Sequence, residues 1–543
     1  MTALFDFIKW IGLSVKVSIM KKLLKDIRFE AGNGRRQFLQ MAGYGALGLM
    51  SGGFRPLLGQ AAAGQNGDAI SKTEFAPDLD ISLVSIPGEL AMFPGAATQV
   101  WQYHAKVNKG NKNRVIELPR SYLGPIIKAQ QGEKIRIRFT NSISEKSIVH
   151  WHGLHVPEVM DGHPRYVVPP GESYLYEFEI KNRAGTYWYH PHPHGRTGPQ
   201  VYGGLAGLFL VSDEEEKSLG LPDGEYDVPL VIQDRAFDRD NQLLYTSGNR
   251  MAQMTGFLGD SILVNGRPDF TLPVSTTAYR LRLLNGSNSR IYRLAWQDGR
   301  PLIIIGTDGG LLEKPVSRPY VFLAPGERIE LWSDFSDSPV GYETALISLP
   351  FDGGGMGRGM MMSGRRGVNQ NLPNGANVSL FKTKVTKSVS ISRALPRKLS
   401  EIEHIQESDA DNYNHPRQFY LNMGHMRGMI NGRVFQMEKV AEDEIVQLDS
   451  KEIWEFSNIA GGMMSMPHPI HLHGKQFRVI GRDGVKHQGY VDDGWKDTVL
   501  LMPGERVRIL VEFDDFPGLF LYHCHNLEHE DMGMMRNYYV RRV

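Results

Sequence analysis

Apolar and polar positions alternate with a period of two over short runs of the chain, as from Tyr174 to Ile180 and from Val507 to Phe513, and turn residues separate the runs at short intervals. Long amphipathic helical patterns do not interrupt them. The pattern predicts an all-β chain of sandwiches or barrels. Each of these two runs follows Pro-Gly-Glu, at 170–172 and 503–505, and a third copy stands at Pro325-Gly326-Glu327. Three copies of one β unit are therefore expected, at about 78–215, 225–385 and 415–543. The first and third copies correspond further, because His190 and His523 each lie 18 residues after their glutamates, Glu172 and Glu505. In the middle copy that offset falls within Tyr342 to Leu349, which has no histidine, and Gly306-Thr307-Asp308-Gly309-Gly310 stands where the first has His150-Trp151-His152-Gly153. The middle unit is expected to bind no metal. Residues 386–414, polar and charged, read as a linker between the second and third units, and 353–367 as a low-complexity insertion in the second.

Length agrees with several domains, since 543 residues exceed the ~250–300 at which one core stops growing. With 61 Lys+Arg against 60 Asp+Glu, no basic surface for nucleic acid or for polybasic membrane contact is expected. The N-terminus carries Gly34-Arg35-Arg36-Gln37-Phe38-Leu39-Gln40, then an apolar stretch from Met41 to Leu58 and the small residues Ala61-Ala62-Ala63. That order resembles a twin-arginine export signal, so residues 1–64 are expected to be a leader and the mature protein a periplasmic monomer. No apolar run of about 20 residues follows, so the mature chain is expected not to enter the membrane. Cys524 is the only cysteine; it can form no internal disulfide, and its thiol needs another explanation.

The histidines supply one. Ten of the 18 fall into four short groups: His150 and His152; His190 and His192; His468, His471 and His473; His523, His525 and His529. On a strand, residues i and i+2 face the same way, so each His-x-His pair offers two imidazoles to one site. Four pairs give eight metal ligands. In His523-Cys524-His525 the cysteine faces opposite to its neighbours, so one strand touches two metal sites. The thiolate can join His468, His529 and Met534, a His₂Cys set with a weak axial methionine, which selects copper for electron transfer.

The runs His-Trp-His-Gly, His-Pro-His, His-Pro-Ile-His-Leu-His-Gly and His-Cys-His, with His529 and Met534 following, resemble the four signatures of the three-domain multicopper oxidases. The resemblance implies three consecutive cupredoxin-like Greek-key domains and four coppers. By motif, His468, Cys524, His529 and Met534 would hold the type 1 copper, and His150 and His471 the type 2 copper. His152, His190, His192, His473, His523 and His525 would hold the type 3 pair. The implied reaction takes electrons singly from a substrate and reduces dioxygen to water at a three-copper cluster between the first and third domains. Asp161 and Glu530 match the acidic residues that deliver protons to that cluster in the family.

The methionines bear on the substrate. Met356, Met360, Met361 and Met362 lie among glycines and arginines in the insertion, and Met464 and Met466 precede His468. Thioether sulfur prefers Cu(I). With the leader, these features are similar to the bacterial periplasmic copper-efflux oxidases, so Cu(I) is the expected reductant, with phenol oxidation beside it. That subgroup carries an acidic residue where Met464 stands here. The alternatives are a laccase-like or bilirubin-oxidase-like enzyme for aromatic substrates and a copper-free cell-division scaffold of the same fold; the intact ligands argue against the last.

Overall fold

The computed structural model describes residues 75–245, 250–353, 372–424, 427–459 and 466–542. Its strands form six sheets that fall into three pairs, drawn from the continuous stretches 79–212, 227–387 and 417–541. These are the first, second and third domains below. Helices among the described residues are single turns such as Thr197–Tyr202 and Leu527–Asp531, and none is long and apolar enough to cross a membrane. The fold is all-β, as the alternating pattern predicts. Outer strands keep that alternation, as in Leu79–Leu90, whose first eight residues alternate buried with half-buried. The strands that carry the histidine pairs do not. Val149–His152, Gly185–Pro191 and His468–Leu472 are buried throughout, because a neighbouring domain covers the face that water would otherwise meet.

One construction recurs in all three domains. A strand ending in asparagine pairs in parallel with the domain's opening strand: Lys134–Asn141 with Leu79–Leu90, Ala278–Asn285 with Asp227–Arg235, and Ser450–Asn458 with Arg417–Gly424. Each asparagine then exchanges two backbone hydrogen bonds with a Pro-Gly-Glu turn. Gly171, Gly326 and Gly504 donate to the carbonyls of Asn141, Asn285 and Asn458, whose own N–H groups donate back to Glu172, Glu327 and Glu505. The turn glycines have φ of 85°, 83° and 89°, the left-handed region that only glycine enters without steric cost. The asparagine side chains repeat as well, each donating to two further backbone carbonyls.

Residues 386–414, expected to be a polar linker, hold a buried anchor. Leu399 is fully buried in the core of the second domain, and Ser400 Oγ donates to the carbonyls of Leu311 and Leu312. The expected leader, the insertion methionines Met356, Met360, Met361 and Met362, and Met464 lie outside the described residues. The flanks of the insertion are described. Phe351 packs on Phe322 beside Leu500 and Met502, and Arg290 donates to the carbonyls of Leu372 and Pro373.

Candidate metal centre

Strand pairing brings the four histidine pairs together. Val149–His152 lies antiparallel to Gly185–Pro191, with His150 opposite His190, and His468–Leu472 lies antiparallel to Gly518–Cys524, with His471 opposite His523. The two strand pairs belong to the first and third domains and meet face to face. All eight rings are buried, at 1% exposure or less. They sort into His152, His190 and His525; His192, His473 and His523; and His150 with His471, whose Nε2 atoms lie 3.3 Å apart. His192 and His473 each bring Nε2 to within 3.3 and 3.0 Å of His523 Nε2.

The outward ring nitrogens are held by acceptors, which settles how several rings face. Nδ1 of His150 donates to the Asp161 carbonyl at 2.6 Å, Nδ1 of His473 to the Asp161 carboxylate at 2.7 Å, and Nδ1 of His471 to the Asp497 carbonyl at 2.8 Å. His190 Nδ1 donates to the Pro191 carbonyl at 2.9 Å. Five other ring nitrogens, His152 Nδ1, His190 Nε2, His192 Nδ1 and both of His525, are buried with no hydrogen-bond partner among the described residues. Burial, followed by the neighbouring imidazoles in most cases, holds the rings of His150, His152, His192, His473, His523 and His525 well below the ordinary histidine range, and burial holds that of His190 at about 3. Neutral imidazoles with unshared lone pairs, enclosed away from water, are what a cluster of copper ions requires. Asp161 and Glu530 line the same space. Glu530 brings its two oxygens 3.5 Å from His192 Nε2 and 3.3 Å from His523 Nδ1. Burial raises both carboxyls well above the ordinary range, with Glu158 adding to the shift of Asp161 and Asp531 to that of Glu530.

Cys524 faces the other way along its strand, into the core of the third domain with Met534. Its Sγ lies 3.4 Å from His468 Nδ1 and 3.7 Å from His529 Nδ1. The backbone ties the group together, with Cys524 N donating to the Met534 carbonyl and Met534 N to that of His529. Burial pushes the thiol up, so a bound cation is needed to hold the thiolate. The sequence-predicted ligands are therefore gathered into two places joined by His523-Cys524-His525. Met466 is buried rather than presented to solvent, and its carbonyl accepts from Asn458 Nδ2.

Sequence reasoning missed the contribution of the second domain. Arg328, directly after the middle Pro-Gly-Glu turn, is fully buried and pairs with Asp497 of the third domain, whose Oδ1 lies 3.0 Å from His152 Nε2. Burial would raise the Asp497 carboxyl, but Arg328 and His152 outweigh it and hold the group well below its ordinary range. The glycine of His-Trp-His-Gly answers to this pair: Gly153 has φ of 86°, and a Cβ there would collide with the Asp497 carboxylate and the Arg328 guanidinium. Helix Arg250–Thr255 was also missed; the Met254 carbonyl accepts from His529 Nε2 at 3.1 Å. Arg328 meets Asp497 across 169 residues of sequence and Met254 meets His529 across 275, so no local pattern announces either contact.

Two family profiles described as multicopper oxidase match residues 99–216 and 401–543. The crystal structure of the McoA multicopper oxidase from Aquifex aeolicus aligns with a TM-score of 0.72 at 35% identity, over 86% of this chain and 97% of that one. A multicopper oxidase from Campylobacter jejuni, described as a metallo-oxidase, aligns with a TM-score of 0.69 at 28% identity, over 86% of this chain and 91% of that one. The multicopper oxidase mco of Staphylococcus aureus is 32% identical over 427 residues, 79% of this chain and 84% of its own length. At that identity over most of both lengths, the chain belongs to the multicopper oxidase family and is an oxidoreductase.

Proposed function

We propose that this oxidase holds four coppers and takes electrons chiefly from Cu(I), with phenols as a side reaction. His468, Cys524, His529 and Met534 hold the type 1 copper, His150 and His471 the type 2 copper, and His152, His190, His192, His473, His523 and His525 the type 3 pair. Bound copper supplies one-electron oxidation of the reductant beside Cys524 and four-electron reduction of dioxygen to water among the eight histidines. The chain supplies the rest. Asp161 and Glu530, whose protons burial holds more tightly than in a free carboxyl, are positioned to pass protons into the cluster. The buried walls keep bulk water out, and Gly518–Cys524 gives a two-residue backbone connection between the sites.

The observation that carries the Cu(I) reading is where the methionine-rich insertion leaves the fold. Its flank Phe351 packs beside Leu500 and Met502, and Leu501 pairs with the ligand His468. The chain thus enters the insertion from a flank close to the strand that carries His468, and thioether sulfur prefers Cu(I). The metallo-oxidase from Campylobacter jejuni agrees with this reading. A laccase-like or bilirubin-oxidase-like reaction on aromatics is the second reading, favoured by the burial of Met466, which withholds one of the sulfurs beside His468 from solvent. The proposal includes export of a monomer to the periplasm by the twin-arginine route, resting on Gly34 to Gln40. Oxygen uptake with Cu(I) and with a phenol, before and after deletion of 353–367, decides between substrates. Loss confined to Cu(I) oxidation is expected; equal loss of both, or loss of neither, removes the cuprous reading.

A further inference from the structure

His152 differs from His150, His190, His471 and His473 in which nitrogen it has free. Its Nε2 lies 3.0 Å from Asp497 Oδ1 and 3.2 Å from Thr498 Oγ1, while its Nδ1 is the buried nitrogen without a partner. His150, His190, His471 and His473 show the reverse arrangement, with Nδ1 engaged by a carbonyl or carboxylate. A neutral imidazole carries one proton, so the acceptor that faces one nitrogen decides that the other offers the lone pair. Asp497 is that acceptor for His152.

Asp497 cannot turn away, because Arg328 grips both its oxygens, Nη1 to Oδ1 at 2.7 Å and Nη2 to Oδ2 at 2.5 Å. Arg328 is itself fixed from all three domains. It donates to the carbonyls of Thr186 in the first domain and of Gly326 and Asp308 in the second, at 2.9 Å each, so all five of its N–H groups are used. Its backbone N–H donates to Asp308 Oδ1 at 2.7 Å, and Asp308 and Glu327 both pair with Lys496, the residue before Asp497. The absence of a side chain at Gly153 leaves room for the pair immediately after the His-Trp-His run.

We propose that Arg328 and Asp497 are a positioning pair that commits His152 to bind metal through Nδ1, and that the ligand-free second domain thereby sets the geometry of the cluster. The inference rests on the reading of the eight histidines as a copper cluster. Asp497→Asn keeps the shape of the side chain but can turn an N–H toward His152 Nε2, which moves the ring proton to Nδ1 and removes the lone pair. Arg328→Lys keeps a cation and loses the two-pronged grip.

Copper content and resistance to a chelator are measured on the purified full chain, with the blue absorption of the Cys524 site as the control for folding. Asp497→Asn is expected to hold cluster copper about 10–100-fold less tightly, with the blue absorption unchanged, and Arg328→Lys to fall between it and the unaltered protein. Arg282→Lys, at a buried arginine paired with Glu330 and Asp227 rather than with Asp497, is expected to retain copper fully. Full chelator resistance in Asp497→Asn and Arg328→Lys overturns the inference, and so does an equal loss in Arg282→Lys. If the unaltered protein binds fewer than four coppers, the cluster assignment itself fails, a result distinct from either.

Discussion

Asp161 and His473 are joined across the boundary between the first and third domains by a 2.7 Å hydrogen bond from Nδ1 to the carboxylate, and the same aspartate's backbone carbonyl holds His150. The rings of His150 and His473 stack with centroids 3.7 Å apart. One residue thus orients two histidines that the proposed assignment gives to different coppers, while presenting its other carboxylate oxygen, buried and without a hydrogen-bond partner among the described residues, to the same space. Asp161→Ala leaves His473 Nδ1 unpaired and removes a proton donor. Oxygen uptake is expected to fall by roughly 10²-fold or more, with lower copper content by metal analysis. Unchanged uptake would remove Asp161 from the reaction.

Glu530 gives a pH dependence with a definite sign. Burial, reinforced by Asp531, raises its carboxyl well above the ordinary range, so the group holds its proton to higher pH than a free carboxyl and loses it as pH rises through that raised value. Turnover limited by proton delivery from Glu530 therefore declines on the alkaline side. Glu530→Gln is expected to lower turnover by roughly 10²–10⁴-fold at every pH and to flatten that alkaline decline. The blue absorption stays, because Glu530 does not touch Cys524, His468 or Met534. Full turnover with the native pH profile in the glutamine variant counts against proton delivery.

How much of this is legible in the sequence depends on the reach of each signal. The histidine pairs are legible because a period of two on a strand fixes the face, and the opposition of Cys524 to His523 follows from the same rule. The Pro-Gly-Glu turns are legible as repeats, yet Asn141, Asn285 and Asn458, which lock them, are single residues at unequal distances from the turns, 29, 40 and 45 residues before Pro170, Pro325 and Pro503. Leu399 carries a whole anchor in a segment whose average composition is polar. Arg328 and Asp497 are 169 residues apart, and a lone charge beside a turn reads as surface until the fold shows that three domains close over it. The chain reveals which atoms bind metal more readily than which atoms hold those ligands still.

Acid stability has its own test in Glu330. Its carboxylate lies between Arg280 and Arg282 and accepts from Thr186 Oγ1 of the first domain at 2.7 Å, so it ties two domains together. Burial works to raise the carboxyl, but the two guanidinium groups outweigh it and hold it at about 2, against an ordinary 4.5. A depressed carboxyl stabilises the fold above its unfolded value and loses that contribution as pH falls. The loss is expected between about pH 4.5 and about pH 2. Glu330→Gln leaves the arginines without a buried counter-charge and is expected to cost about 3–5 kcal/mol near neutrality. Thermal unfolding followed by circular dichroism across this range checks both, and a glutamine variant that retains the full acid-dependent loss would refute the assignment to Glu330.

Gly428 controls how closely a hairpin approaches the proposed type 1 ligands His529 and Met534. It lies in strand Arg427–Ile430, paired with Met423 of Arg417–Gly424, and a Cβ there would stand 2.5 Å from Met534 Cβ, 3.1 Å from Met534 N and 3.2 Å from the His529 carbonyl. Those atoms cannot yield freely, because Cys524 N donates to the Met534 carbonyl and Met534 N to that of His529. Gly424, on the partner strand, gives the contrast: a Cβ there comes close to the flexible methyl end of Met429, at 3.0 Å, and otherwise makes an ordinary contact with Asn422 Oδ1 at 3.6 Å. Gly428→Ala is expected to cost about 1–3 kcal/mol through overpacking and to shift the blue absorption as Met534 moves relative to Cys524. Gly424→Ala is expected to leave the absorption where it is, since Met429 can rotate aside. Absorption spectra and thermal unfolding of the two variants separate the cases, and an unshifted spectrum in Gly428→Ala would show that the hairpin, rather than the ligand segment, gives way.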